Sequence, residues 1–333
     1  MRYQLLLLCT LLSCSGSTAG QDHPCEVDIP VNIVTPELAL VRHVPKDGFI
    51  AHHGDNTLAI HSVDADIAPR RIVLVAENGK SVNSAARKIE TSVLGGIVTN
   101  ARAEDSFAFL TARGPRKELP LGIPRDMLLS SIRELSSQAN GKDQGKSALE
   151  AVLEASGWLQ PSQLGDSIIL LTMGLEPGEM EYGKVTKTLT TSAIRLFGFQ
   201  LGVLYIGTYS SQLGPIASGP FPIVKIDPNR ETFFDLGEET GGFFLEENTE
   251  GNPQLSYHLT DDRLQQLGYF AGQLYKGVVE YYRMRLGPAP EGFVVDLSDS
   301  VRQKVPKAHV LYPRRTLNCS PISRSSPSRL SSP

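Results

Sequence analysis

The chain has 333 residues, which at roughly 100–200 residues per domain leaves room for two units. Hydrophobic residues make up 41% and charged residues 20%, an ordinary balance for a globular protein with a real core. The net charge of −4 argues against a nucleic-acid partner, which usually demands a basic surface.

Arg2 gives a short positive start, residues 3–12 (YQLLLLCTLL) form an apolar run, and small residues fill 15–20. This is the pattern of a secretory signal over residues 1–20, with Gly20 or Gln21 opening the mature chain. The run is too short to span a bilayer, which takes about 20 residues. Lipid attachment at Cys14 is a second processing that fits, and only that route would tie the protein to a membrane. Cys9 and Cys14 lie in the signal, so Cys25 and Cys319 remain, one near each end. In an oxidising compartment two such cysteines pair if the fold brings the ends together; otherwise both stay free thiols in the tails.

Residues 21–68 read as a small β region. Its pieces at 30–34, 39–41, 48–51 and 57–62 are rich in β-branched and apolar residues, and Gly54-Asp55-Asn56 is a turn. About 40 residues of short strands make too small a core to stand alone.

From Arg70 strand and helix alternate. Residues 72–76 (IVLVA) are continuously apolar, as in a strand covered on both faces. Val82, Ala86, Ile89, Val93 and Ile97 then lie on one helical stripe. A strand is expected at 107–111, followed by an edge strand at 118–121, since Pro120 cannot donate to an inner ladder. Helices follow at 125–137 and 147–158, then a buried strand at 168–172 (IILLT), a helix at 181–197 and a strand at 201–206. Asp227-Pro228 starts another helix, Gly241-Gly242 stops it, and 243–245 is the last strand. This alternation predicts an α/β unit over residues 69–250, a doubly wound and mostly parallel sheet with helices on both faces.

Residues 255–318 hold a helix at 260–276, with Asp261 and Asp262 at its positive end, and strands at 277–286, 291–297 and 308–312. Tyr281-Tyr282 with Arg283 and Arg285 alternates across the first of these strands, a packing pattern before a binding one. Residues 319–333 are Ser/Pro/Arg low complexity and read as disordered. Neither flanking β region can bury its apolar face alone. The expectation is that the two pack together as a small β sandwich, with the α/β unit inserted between them and Cys25 brought near Cys319.

Four segments, in order, carry a resemblance. Residues 70–81 (RRIVLVAENGKS) resemble the strand that opens a von Willebrand factor A (VWA) domain, and Gly145-Lys146-Ser147 resembles the loop supplying that family's metal-binding Thr. Ile168 to Gly174 resembles its strand ending in Thr-Asp-Gly, and Glu238-Glu239-Thr240-Gly241-Gly242 resembles the element before its last strand. The flanks (28–34, 47–49 and 280–286) are similar to VWA-related exported proteins of the acidobacterial type. The resemblance implies a metal-ion-dependent adhesion site with oxygens at five positions. Residue by residue these fall on Glu77, Gly79, Ser81, Ser147 and Met173. Gly79 has no side chain, the Met173 thioether is soft where Mg²⁺ is hard, and Glu77 is one methylene longer than the family's Asp. The reading is therefore a degenerate site without Mg²⁺ or another cofactor, whose rim still binds.

The resemblance implies protein–protein interaction or adhesion at the cell envelope, in the periplasm, at the cell surface or secreted. No G-x-S-x-G elbow, P-loop or G-x-G-x-x-G fingerprint is present, so no catalytic residue is assigned. Two alternatives stand beside this reading: an envelope hydrolase using Glu176, Glu179 and Glu181, or a purely structural assembly component. His52, His53 and His61 lack metal-ligand spacing and read as surface histidines. The loop at 207–219 is long, small and polar, equally suited to binding or to a solvated connection. The sequence leaves the partner and the oligomeric state open.

Overall fold

The computed structural model describes residues 26–79, 82, 84–137, 145–173, 182–201, 205–208, 222–225, 230–247 and 261–314. The leader, Cys14, Cys25 and Cys319 lie outside these residues, so the expected signal and disulfide are not addressed by the coordinates.

In chain order the first strands are β1 (Val27–Val34), β2 (Phe49–His53), β3 (Asn56–Thr57) and β4 (Ile60–Ala65). The middle of the chain gives β5 (Arg71–Glu77), α1 (Ser84–Asn100), β6 (Ser106–Ala112), β7 (Glu118–Leu119), α2 (Arg125–Ser137), α3 (Ala148–Trp158), β8 (Ser167–Thr172), α4 (Tyr182–Thr191) and β9 (Arg195–Leu201). It continues with β10 (Tyr205–Thr208), β11 (Pro222–Lys225), α5 (Arg230–Glu239) and β12 (Phe244–Glu247). The last elements are α6 (Asp261–Val279), β13 (Tyr282–Leu286), β14 (Val294–Leu297), α7 (Asp299–Arg302) and β15 (His309–Leu311).

Six strands form the central sheet in the order β12-β9-β8-β5-β6-β7. All pairs are parallel except β6 with the short edge strand β7. Every residue of β8 and β9 is buried, and so are all but the first of β5 and β6. A strand buried on both faces must be apolar along its whole length, and the runs IVLVA and IILLT are. Ile72, Leu74 and Ala76 face one apolar layer, shared with α1, α2 and α6. Val73 and Val75 face the other, shared with α3, α4 and α5. This is the doubly wound arrangement that the alternation predicted.

Two expectations need correction. The helix placed at 181–197 ends at Thr191, and the strand placed at 201–206 is Arg195–Leu201. Ala193 takes a left-handed backbone (φ 51°), and the Ile194 N–H closes on the Leu189 carbonyl at 2.9 Å, so the helix cannot continue. The apolar residues continuing from the helix into Leu196, Phe197 and Phe199 hid this boundary. The helix grouped with the C-terminal strands packs instead on the sheet, with Leu267, Ala271, Leu274 and Val278 in the α1 layer.

The strands from both chain ends interleave. One antiparallel sheet runs β15-β1-β13-β4, and a second runs β14-β2-β3. Val27, Ile29, Val31 and Phe49 from the N-terminal side share one core with Met284, Leu286, Val295 and Leu297 from the C-terminal side. Each half contributes strands to both sheets, so neither sheet is complete without the other end of the chain. Residues 39–41, expected as extended, contribute only a single bridge between Val34 and Leu40.

Buried arginines join this β region to the amino end of the central sheet. Arg195, the first residue of β9, donates to the Asn32 Oδ1 at 2.8 Å and to the Gly277 and Val278 carbonyls at 3.1 and 2.6 Å. Arg70 donates to the Asp66 and Val279 carbonyls at 2.6 and 3.4 Å. The two guanidiniums stand 4.4 and 4.3 Å from the centre of the Tyr281 ring. Carbonyls 277–279 are the last of α6, where the helix dipole is negative and a cation is favoured. No helix among the described residues is long and apolar enough to cross a membrane.

Candidate functional site

The strand order reverses between β5 and β8: β6 and β7 follow β5 on one side, while β8, β9 and β12 extend on the other. In open α/β sheets the crevice at the carboxyl ends beside such a reversal is the default ligand site. Three loops meet there. The Asn78 N–H donates to the Ala112 carbonyl at 2.7 Å, and the Arg113 N–H donates to the Lys146 carbonyl at 2.9 Å. At Gly114 a Cβ would stand 1.9 Å from the Asn78 oxygen, so only glycine allows these loops to close up.

Glu77 ends β5 with no exposed surface. Its Oε1 accepts from Arg113 Nη1 at 2.6 Å. Its Oε2 accepts from the Thr172 hydroxyl at 2.7 Å and from the Met173 N–H at 2.8 Å. Register explains the meeting: Ala76 lies opposite Leu171 and Glu77 opposite Ala112, so Glu77, Thr172 and Arg113 leave adjacent strands together. Arg113 has a left-handed backbone (φ 54°), an uncommon conformation for a long side chain. That conformation turns the guanidinium inward, where the residue is 6% exposed.

A second carboxylate lies near. Glu90 on α1 is fully buried beside the Glu77 backbone. Burial, then the negative charge of Glu77, push its pKa well above the ordinary carboxylate range, and Arg87 opposes them.

The positions singled out in the sequence divide as follows. Glu77 and Met173 are in contact at this head of the sheet, and Gly79 is buried two residues beyond Glu77. Ser147 sits beside Lys146 in the loop bonded to Arg113, but its side chain is engaged elsewhere. Its Oγ caps α3 by accepting from the Glu150 N–H at 3.2 Å, and Glu150 Oε2 accepts from the Ser147 N–H at 2.8 Å, a complete capping box. Ser81, the acidic trio Glu176, Glu179 and Glu181, and residues 209–219 lie outside the described residues. His52 and His53 are on β2 and His61 on β4, in different sheets. Among the described residues no three His, Cys, Asp or Glu side chains are placed to hold a metal.

No protein-family model matches the chain, and no curated protein matches it. Solved structures are similar in fold. An aerotolerance-related membrane protein from Bacteroides fragilis is 13% identical, with a TM-score of 0.44 over 62% of this chain and 98% of its own. A von Willebrand factor type A protein from Catenulispora acidiphila is 9% identical, with a TM-score of 0.43 over 78% of this chain and 51% of its own. Proximal thread matrix protein 1 from the mussel byssus is 12% identical, with a TM-score of 0.43 over 74% and 50%. The strand order and register, not these scores, define the fold. The central unit is a doubly wound α/β domain with a mostly parallel sheet.

Within this α/β unit the sequence reading missed Arg113, Thr172 and Glu90. Glu90 carried a signal: it follows Ile89 and precedes Leu94 by four, so a charge sits on the inward stripe of α1. Arg113 carried almost none, since an arginine before Gly-Pro after a strand reads as a solvated turn.

Mg²⁺ requires near-octahedral oxygen ligands at about 2.0–2.1 Å. Gly79 brings no side-chain oxygen, Met173 brings sulfur, the Ser147 hydroxyl caps a helix, and both Glu77 oxygens already accept from N–H or O–H donors. These residues do not fit the ion.

Proposed function

We propose that this protein is an exported, non-catalytic interaction module. Its VWA-type unit binds a protein partner, without a metal, through the loops at the carboxyl ends of β5, β6 and β8. The observation that carries the reading is the closed set of donors on Glu77: the carboxylate that would hold an ion is already satisfied from within the chain. The loops stay grouped at the usual ligand end of the sheet, held by the Asn78–Ala112 and Arg113–Lys146 backbone bonds. Export is supported by the apolar run at residues 3–12 and the small residues after it. Adhesion or assembly in the periplasm, at the cell surface or in the medium follows from that placement.

Cross-linking in intact cells, with and without a chelator, tests the reading. The same protein partner should be captured in the same yield in both arms, and the melting temperature of the purified protein should not change with the chelator or with added Mg²⁺. A Mg²⁺-dependent rise in melting temperature would refute the metal-free rim.

A further inference from the structure

An apolar knob and an apolar cleft lie at opposite ends of β4. Past its last residue, the turn at 66–69 displays Ile67, which is 82% exposed. That turn is braced. Arg102 donates to the Ile67 and Ala68 carbonyls at 3.1 and 2.9 Å and is itself held by Asp105 at 2.7 Å. Asp66 Oδ1 accepts from the Ala68 N–H at 2.9 Å, and its Oδ2 accepts from the Tyr281 hydroxyl at 2.7 Å. An apolar side chain carried on a fixed backbone has little freedom left to lose on binding, which suits it as an anchor. The cleft lies at the other end of the strand. There β3 pairs only with His52 and His53, and the chain then crosses from one antiparallel sheet to the other. The crossing leaves a space of about 420 Å³ with apolar walls from Phe49, Ile50, Ala51, Leu58 and Ile60.

We propose that the cleft of one copy of this chain receives Ile67 of a second copy, so that the protein self-associates as knob into hole. The strand between the two features excludes the intramolecular alternative. Ile60 opens β4 and lines the cleft, Ile67 lies two residues past the end of β4, and at about 3.3 Å per residue they stand roughly 20 Å apart. Charge agrees with the pairing. Arg102 and Glu104, 3.7 Å apart, flank the knob, and the exposed Lys46 and Asp47 flank the cleft, so each rim offers one charge of each sign to the other. An aliphatic anchor in an apolar hole, ringed by polar groups, is the usual anatomy of an interface centre. Reciprocal insertion about a two-fold axis closes a dimer, and one-way insertion builds a chain. Ile67 precedes β5, at the amino end of the central sheet, so either assembly leaves the carboxyl-end loops of every copy open. The inference is independent of what those loops bind.

Sedimentation equilibrium of the purified protein, from low micromolar to several hundred micromolar, tests the inference on the parent, I67A, T57W and an equimolar mixture of the two variants. Thr57 is exposed and lines the cleft, so the introduced indole fills the hole, and Ile67 is exposed, so neither change touches the core. The parent should associate. Each variant alone should raise the dissociation constant by about tenfold or more, with its melting temperature unchanged. The mixture should regain association, because I67A keeps an open hole and T57W keeps the knob. A parent that stays monomeric over the whole range overturns the inference, and so does an I67A that associates as the parent does. A mixture that associates no better than its components also overturns it, since the contact then does not join these two features. Should T57W fail to fold, Ile50→Asp, at an exposed side chain of the same cleft, takes its place with the same expected outcomes.

Discussion

At the amino end of the central sheet, Arg70 and Arg195 are fully buried and meet backbone carbonyls; at the carboxyl end, Glu77 is fully buried and meets a guanidinium. The amino end relies largely on backbone dipoles, with Asp66 pairing to Arg70 at 3.3 Å. Carbonyls 277–279 at the end of α6 and the Tyr281 ring receive the two arginines. The carboxyl end uses full charges, and one of them arrives on a loop in a strained backbone conformation. Charge held by rigid elements makes a scaffold, whereas charge held by a loop makes a site that can be retuned by one substitution. The same chain thus separates what must not change from what can.

Replacing Arg195 by Met should give the largest loss. Burial pulls its pKa down to about 10, still far above neutral pH, so the group is charged when buried. Its removal strands the Asn32 side chain and the ends of α6, and strips one cation from the Tyr281 ring. Loss of one member of such a network costs roughly 3–5 kcal/mol, readable as a shift in urea midpoint. A loss below about 1 kcal/mol would erase the distinction between the two ends, since it would make Arg195 as dispensable as a surface residue.

Glu90→Gln probes the opposite end and should stabilise. The folded protein holds the Glu90 pKa above its unfolded value, through burial first and the Glu77 charge second. Between the two pKa values the folded state keeps a proton that the unfolded state has released, so stability falls as pH rises through that window. The slope approaches about 1.4 kcal/mol per pH unit for a single group. The Gln variant should lose this slope and melt higher than the parent at neutral pH. Parallel stability–pH curves for the two proteins would show that Glu90 is not carrying the strain.

Much of this architecture was legible in the sequence, because burial on two faces leaves a pattern that composition alone can carry. IVLVA and IILLT read as inner strands, Pro120 read as an edge, and all three assignments describe the sheet. The failure at β9 has a physical cause. Helix α4 and β9 are both apolar on their buried faces, and the break between them is a single left-handed alanine, a residue with no turn signature. The site was legible by half. Glu77 and Met173 were singled out through the resemblance and do meet at the carboxyl end of the sheet, but Arg113, which pairs with Glu77, comes from another strand, and one sequence contains no record of that contact. Gly241-Gly242 was read as a helix stop; the structure adds that a Cβ at Gly242 would lie 2.0 Å from the Leu196 carbonyl, so the same glycine also lets α5 approach β9.

Ser147 offers the smallest and most discriminating effect. The resemblance in sequence sets it against a metal-binding Thr, yet its hydroxyl is committed to the first turn of α3. A cap and a ligand predict different consequences of the same substitution. Ser147→Ala should lower stability by about 1 kcal/mol, the usual cost of losing an N-cap, with no dependence on divalent ions. Ser147→Asp should recover most of that loss, because a carboxylate is an equally good cap and suits the positive end of the helix. If the hydroxyl instead served an ion, Ala would abolish a Mg²⁺ response that the parent showed, and Asp would strengthen it. Thermal melts of the three proteins with and without Mg²⁺ separate the two roles, since capping moves all the curves equally in both buffers and ligation moves only one.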